Sequence, residues 1–272
     1  MLSALSSHPV IQAVLAPFLV ALLSAELLQR MRLSGLSIIA GFAITVYLVS
    51  AFTFPPLSVT HKIIWIGLGT GLFAIPVSQI NWSILRPVLT LTSAGIIIWL
   101  TFHILLKHST STAIQWGIGC AFFVGWLVYW MDTLHDASVR AGCAGLALGL
   151  GTGMVIYVTG YEKLGKFDLA LGSASAAYLF IMFVTNTHLS GGRNLTLPLS
   201  LIVGLTASVA VLTTSLPWYT LMVLGLIPLA ARIPVSDQSP VWQQSTLISA
   251  VTIACAIVAV YISWHNYRLI FF

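Results

Sequence analysis

Residues 89–106 read Leu89-Thr90-Leu91-Thr92-Ser93-Ala94-Gly95-Ile96-Ile97-Ile98-Trp99-Leu100-Thr101-Phe102-His103-Ile104-Leu105-Leu106. The first four residues alternate as a half-exposed strand would, and then the alternation stops. A transmembrane barrel strand keeps a two-residue period along its whole crossing, so this segment is not one. Read as a helix it reaches about 27 Å at 1.5 Å per residue, close to the thickness of a bilayer's hydrocarbon core. In lipid the backbone must satisfy its own polar groups, and a continuous apolar run can do so only as a helix.

Working outward, runs of the same kind fill the chain of 272 residues, at about 9–29, 35–54, 62–80, 85–106, 113–131, 141–160, 168–186, 196–215, 218–231 and 243–264. The expectation is an all-α, polytopic helical membrane protein of nine or ten spans, arranged as one bundle domain over 1–272. The uncertain span is Trp218 to Ala231, short and bounded by Pro217 and Arg232, which reads equally as a tilted crossing, a re-entrant segment or part of a bent neighbour. Connections are short and marked by Pro55-Pro56, Asn81-Trp82, Lys107-His108, Tyr161-Glu162-Lys163 and Ser190-Gly191-Gly192-Arg193. None can hold a soluble domain. Trp65, Trp82, Trp116, Trp130, Trp218, Trp242 and Trp264 fall near span ends, where an indole sits well at headgroup level.

Composition agrees with this reading. Hydrophobic residues make up 58% of the chain and charged residues 6%, against about a quarter charged in an ordinary soluble domain. A disordered chain is excluded by the same figures. The net charge of +5 is spread singly between apolar runs, so no nucleic-acid face is expected and the lipid bilayer is the partner. The first segment has the length of a span and no clear cleavage site, so it is expected to be retained in a cell (inner) membrane. Cys120, Cys143 and Cys255 lie within apolar runs without metal-ligand spacing; neither a metal site nor a cofactor is expected.

With ten crossings, Arg30, Arg32, Arg86, Arg140, Arg193 and Arg232 share one face, and Lys62, Lys107, Lys163, Lys166 and Arg268 share the other. Arginine binds phosphate and carboxylate through a planar fork, whereas lysine acts as a point charge. Arg30, Arg32, Arg86, Arg193 and Arg232 are therefore candidates for an anion or lipid headgroup, beside the plainer reading that they anchor span ends.

Two constellations could carry an ion or substrate pathway. Gly67-Leu68-Gly69-Thr70-Gly71 recurs as Gly149-Leu150-Gly151-Thr152-Gly153, each copy within a span. Either the glycines at four-residue spacing (Gly67 and Gly71; Gly145, Gly149 and Gly153) let helices approach closely, or the helix breaks there, as in transporters, with Pro76 assisting the break. A glycine seam also offers a contact for a second copy or a membrane partner, while Gly35, in a connection, is expected to tolerate a side chain. The second constellation is Asp132, His135, Asp136 and Arg140, which share a face if the fifth helix continues through them, or otherwise form a solvated turn. Glu26 reads as the acid set deepest in an apolar run, either paired with Arg30 or protonatable.

No catalytic residue can be assigned, since phosphate loops, nucleophile elbows and zinc-binding helix motifs are missing. The residues favour a small secondary transporter or permease over a non-catalytic membrane subunit, with an enzyme acting on a lipid or polyprenyl phosphate third. A transporter should show a polar cavity beside Gly67 to Gly71, and an enzyme should bring arginine and aspartate together at one boundary.

Overall fold

A computed structural model describes residues 8–31, 33–50, 58–80, 84–214, 216–236 and 239–271, with side chains as far as Arg268. The expected Arg32, Trp82 and Pro55-Pro56 features lie outside the described residues. The helices are α1 (Ile11–Gln29), α2 (Ser37–Ser50), α3 (Val59–Ser78), α4 (Leu85–Leu105), α5 (Thr110–Asp132), α6 (Ser138–Val158), α7 (Glu162–Thr185), α8 (Gly192–Thr213), α9 (Trp218–Ala230) and α10 (Val241–Phe271). Eight of them, among the described residues, are long and apolar enough to cross a membrane; α2 with its leading turn, and α9, are shorter. The chain is an all-α, multi-pass membrane protein.

The helices are ranked by burial. Every residue of α8 from Arg193 through Val211 is buried, and α6 and α7 bury most of theirs. By contrast Leu19, Leu23 and Leu27 of α1, Leu72 and Phe73 of α3, and Ile114, Ile118 and Phe122 of α5 are exposed, as suits helices facing lipid. α8 is thus the axis, with α3, α5 and α6 against it, and α1 and α2 reach the bundle through α7.

Proline leaves a mark at the start of α1. Its first turn, Ile11–Leu15, is a π-type turn. Pro17 cannot donate to the Ala13 carbonyl, and Ser173 Oγ of α7 lies 3.3 Å from that oxygen, within reach to serve it. Thr45 of α2 donates to the neighbouring Gln12 carbonyl at 2.9 Å.

The glycine segments are continuous helix in both α3 and α6, so the broken-helix expectation does not hold. Close packing accounts for them instead. A β-carbon at Gly149 would strike the Gly172 backbone of α7, and one at Gly153 would stand 2.7 Å from the Leu169 nitrogen. Gly145 faces Ser175 and Leu199, Gly151 faces Ala256 of α10, Gly67 faces Ile202, and Gly71 faces Ile39. These faces are filled within the chain. Gly69, Gly95 and Gly119 meet open space. Gly35 also departs from expectation, because a β-carbon there would run into the Gly191 carbonyl and lie 2.9 Å from the Leu195 nitrogen.

Candidate functional site

The candidate site lies where the C-terminal end of α5 meets the N-terminal ends of α4 and α8. Alone, each of these helices has a charge of the wrong sign. An acid at a helix C-terminus and arginines at N-termini all oppose the helix dipoles. Because α5 runs antiparallel to α4 and α8, the misplaced charges meet. Asp132 Oδ2 accepts from Arg86 Nε at 3.0 Å, and Oδ1 accepts from Arg193 Nε at 2.8 Å. Arg193 Nη1 also donates to the Ile80 carbonyl at 2.7 Å, which ties in the end of α3. Asp132 and Arg193 are buried, while the Arg86 side chain is about one-third exposed.

Two guanidinium groups against one carboxylate leave this junction with a net positive charge. More cation surrounds it. Arg86 lies 5.7 Å from the Tyr129 ring centre and Arg232 lies 4.9 Å over Trp130. Arg140 Nη1 reaches the Arg232 carbonyl at 3.5 Å. The end of α9 is thereby held at the arginine-bearing end of α5 and α6.

The other expected residues are distributed as follows. α5 stops at Asp132 and a turn follows over 133–136, so Asp132, His135 and Asp136 do not share a helical face. The turn reading holds for this stretch. His135 Nδ1 contacts the Asp132 carbonyl and its Nε2 lies 3.2 Å from Asp136 Oδ1, while the Asp136 side chain is 90% exposed. Asp136 and Arg140 line a polar cup of about 400 Å³ with Thr133, Ser138, His188 and Gln244. Glu26 does not make the pair with Arg30 that was one of its two expected readings. It is exposed on α1, and Arg30 is exposed as well. Both lie on a face of α1 that carries exposed Leu23 and Leu27, away from the Asp132 junction.

A second cavity, of about 300 Å³, opens between α3, α4 and α8 beside Gly69 and Thr70. Its wall is mainly hydrocarbon. The hydroxyls of Thr70 and Thr92 bond to carbonyls one turn back, at 2.6 and 2.8 Å, and leave their methyls to the space. The polar lining expected beside Gly67 to Gly71 is therefore not what borders this cavity. A third space, about 330 Å³ between α5 and α9, is an apolar groove bordered by Trp116, Trp126 and Trp218.

The deepest acid is Asp168, which sequence reading placed at the start of a span. α7 begins earlier, at Glu162, and so Asp168 lies about two turns inside it, with no exposure. Lys163 and Lys166 just before it give the stretch the look of a polar connection. Gly165 and Gly172, which flank Asp168 at helical spacing and pack on α6, were the available signal that this part of α7 is buried. Comparison with models of protein families found none that matches the chain, and comparison with curated proteins found no match either.

Proposed function

We propose that this membrane protein is a small secondary transporter. The observation that carries the reading is a recurrence in helix packing at an offset of five. α1 packs on α2 as α6 packs on α7; α4 packs on α5 as α9 packs on α10; α2 crosses α7 and α3 crosses α8. An odd offset gives the related helices opposite direction, which is the arrangement of inverted-repeat transporters, where two halves rock about a shared site. The recurrence is partial, since α10 on α6, α1 on α7, α5 on α8 and α6 on α8 pack without counterparts. An inverted-repeat protein at rest in one access state has unlike contacts in its two halves.

α4 supports the same reading. It is strongly packed on α5 but only thinly on α3 and α8, and the cavity beside Gly69 lies along that weak boundary. α4 therefore has its weakest buried contact along α3 and α8, whereas α5 is itself packed on α8. The cation excess around Asp132 favours an anionic solute arriving at that face.

The test is uptake into vesicles containing the purified protein, across a panel of small solutes that includes carboxylates and phosphates. A double variant, Gly69→Cys with Ile96→Cys, places thiols on both sides of the cavity. Uptake above empty vesicles, stopped when the thiols are oxidised and restored on reduction, is the expected result. No uptake of any solute removes the transporter reading. Conversion of a lipid phosphate by the same vesicles would instead favour the enzyme reading, which is supported by the convergence of Asp132 with Arg86 and Arg193 and by the polar cup at Asp136 and Arg140.

A further inference from the structure

Asp168 has a shortage of hydrogen-bond donors. Its two carboxylate oxygens lie 2.9 and 2.7 Å from Thr206 Oγ1 of α8, and among the described residues that hydroxyl is the one side chain reaching them. The same hydroxyl oxygen stands 2.9 Å from the Ile202 carbonyl and 3.0 Å from the Val203 carbonyl. An ionised carboxylate can accept about four hydrogen bonds, and a threonine hydroxyl carries one proton. The carbonyls have helix N–H groups to draw on, but the carboxylate has none.

Among the described residues no compensating charge reaches Asp168 either. On α7 itself, Lys166 donates to Gln12 Oε1 at 3.3 Å, and Glu162 and Lys163 occupy the first turn. On α6, Tyr157 packs at Gly165, nearer the lysine-bearing end, while Cys143 and Arg140 lie toward the other end. On α8, Arg193 is committed to Asp132 and Ile80. Glu26 of α1, Tyr47 of α2 and Tyr261, His265 and Arg268 of α10 make no hydrogen bond or ion pair with Asp168. A bare carboxylate so placed inside a membrane bundle is costly.

We infer that Asp168 is a proton-binding site at the junction of α6, α7 and α8, occupied by a proton in this arrangement. One added proton closes the accounting. The carboxyl O–H donates to Thr206 Oγ1, and the Thr206 proton turns to the Ile202 or Val203 carbonyl. A second hydroxyl is available at the same level. A β-carbon at Gly145 of α6 would stand 2.6 Å from Leu199 of α8. These two helices run in the same direction, so two turns further along each brings Thr152 level with Thr206. Thr152 is fully buried, and its Oγ1 has no hydrogen-bond partner. It is a hydroxyl able to accept a hydrogen bond from the carboxyl O–H, directly or through a water, in place of Thr206. The inference stands apart from the transporter reading, since it concerns the state of one carboxyl group.

Infrared spectroscopy of the full chain in lipid nanodiscs at neutral pH tests it directly. The expected result is a carbonyl stretch of a protonated carboxylic acid that shifts when aspartate is labelled with carbon-13 at its side-chain carboxyl. Asp168→Asn should abolish that band, Asp136→Asn should leave it, and Thr206→Val should move it where Thr206→Ser does not. A wild-type protein without the band overturns the inference, as does a band that survives Asp168→Asn. Loss of the band on adding sodium chloride at constant pH would overturn it in favour of a cation. The labelled wild type shows whether any aspartate is protonated, and Asp168→Asn, taken as folded when it elutes as a single species on size exclusion, assigns the band.

Discussion

Asp132 accepts from two guanidinium groups that have few other partners, so a change in its charge is felt on three helices at once. Asp132→Asn preserves shape but leaves Arg193 buried beside a neutral amide. Removal of one partner from a buried pair costs about 3–5 kcal/mol. Thermal unfolding in detergent should show a clear loss of stability for Asp132→Asn. Asp136→Asn, at a side chain almost wholly in solvent, should stay within about 0.5 kcal/mol of wild type. Equal unfolding temperatures for the two would show that the Arg86–Asp132–Arg193 junction adds nothing. The sequence made Asp132 legible as a candidate, but not its partners. Arg86 and Arg193 lie 46 and 61 residues away, and pairing over such distances depends on which helix ends meet. The one local sign was charge opposed to each helix's dipole, which is unfavourable unless another helix supplies the counter-charge. Glu26 and Asp168 show why depth is hard to read from sequence: the apolar run around an acid gives its place along the chain, whereas burial follows from which face of the helix has neighbours.

Between elements, the α6–α7 seam decides how small a side chain can be tolerated. Alanine is favoured over glycine by about 1 kcal/mol in a helix interior, so Gly→Ala should stabilise wherever there is room. Gly95→Ala has that room, since nothing lies within 4 Å of the new methyl. At Gly149 the methyl would meet the backbone of Gly172, which no rotamer change can move. Overpacking of about 1–3 kcal/mol then outweighs the helix gain. The expected result is a lower folded yield for Gly149→Ala and an unchanged or higher one for Gly95→Ala, read by size-exclusion chromatography. Matching yields would mean that the two helices separate freely. Helix existence was legible here because most runs are long and uniform, although eight helices among the described residues, rather than the expected nine or ten, are long and apolar enough to cross. Gly35 was not, because a glycine in a short connection looks permissive until the partner backbone, at Gly191, is known.

For the whole molecule, ten crossings, counting the eight long helices with the shorter α2 and α9, predict chain termini on the same side. The ends of the helices support that count. Ser34, before α2, donates to the Ser190 carbonyl before α8, and Arg232, after α9, meets Trp130 near the end of α5. α9 is shorter than the eight candidate spans, and it runs from Trp218 to the face where Arg140 and Arg232 meet. Reporter fusions at the two termini should therefore give the same accessibility, and opposite results would remove α9 as a span. The axial place of α8 has a consequence for how the protein is made. A ribosome delivers the helices in order, and the one enclosed on every side arrives after seven others are already in the bilayer. Those seven cannot close early around the space it will fill. Until α8 enters, acyl chains must occupy its channel and Asp132 must make do with Arg86. The arrival of Arg193 then expels lipid, completes the pair and fastens α3 through Ile80, so that the last buried helix to insert is also the one that locks the earlier ones.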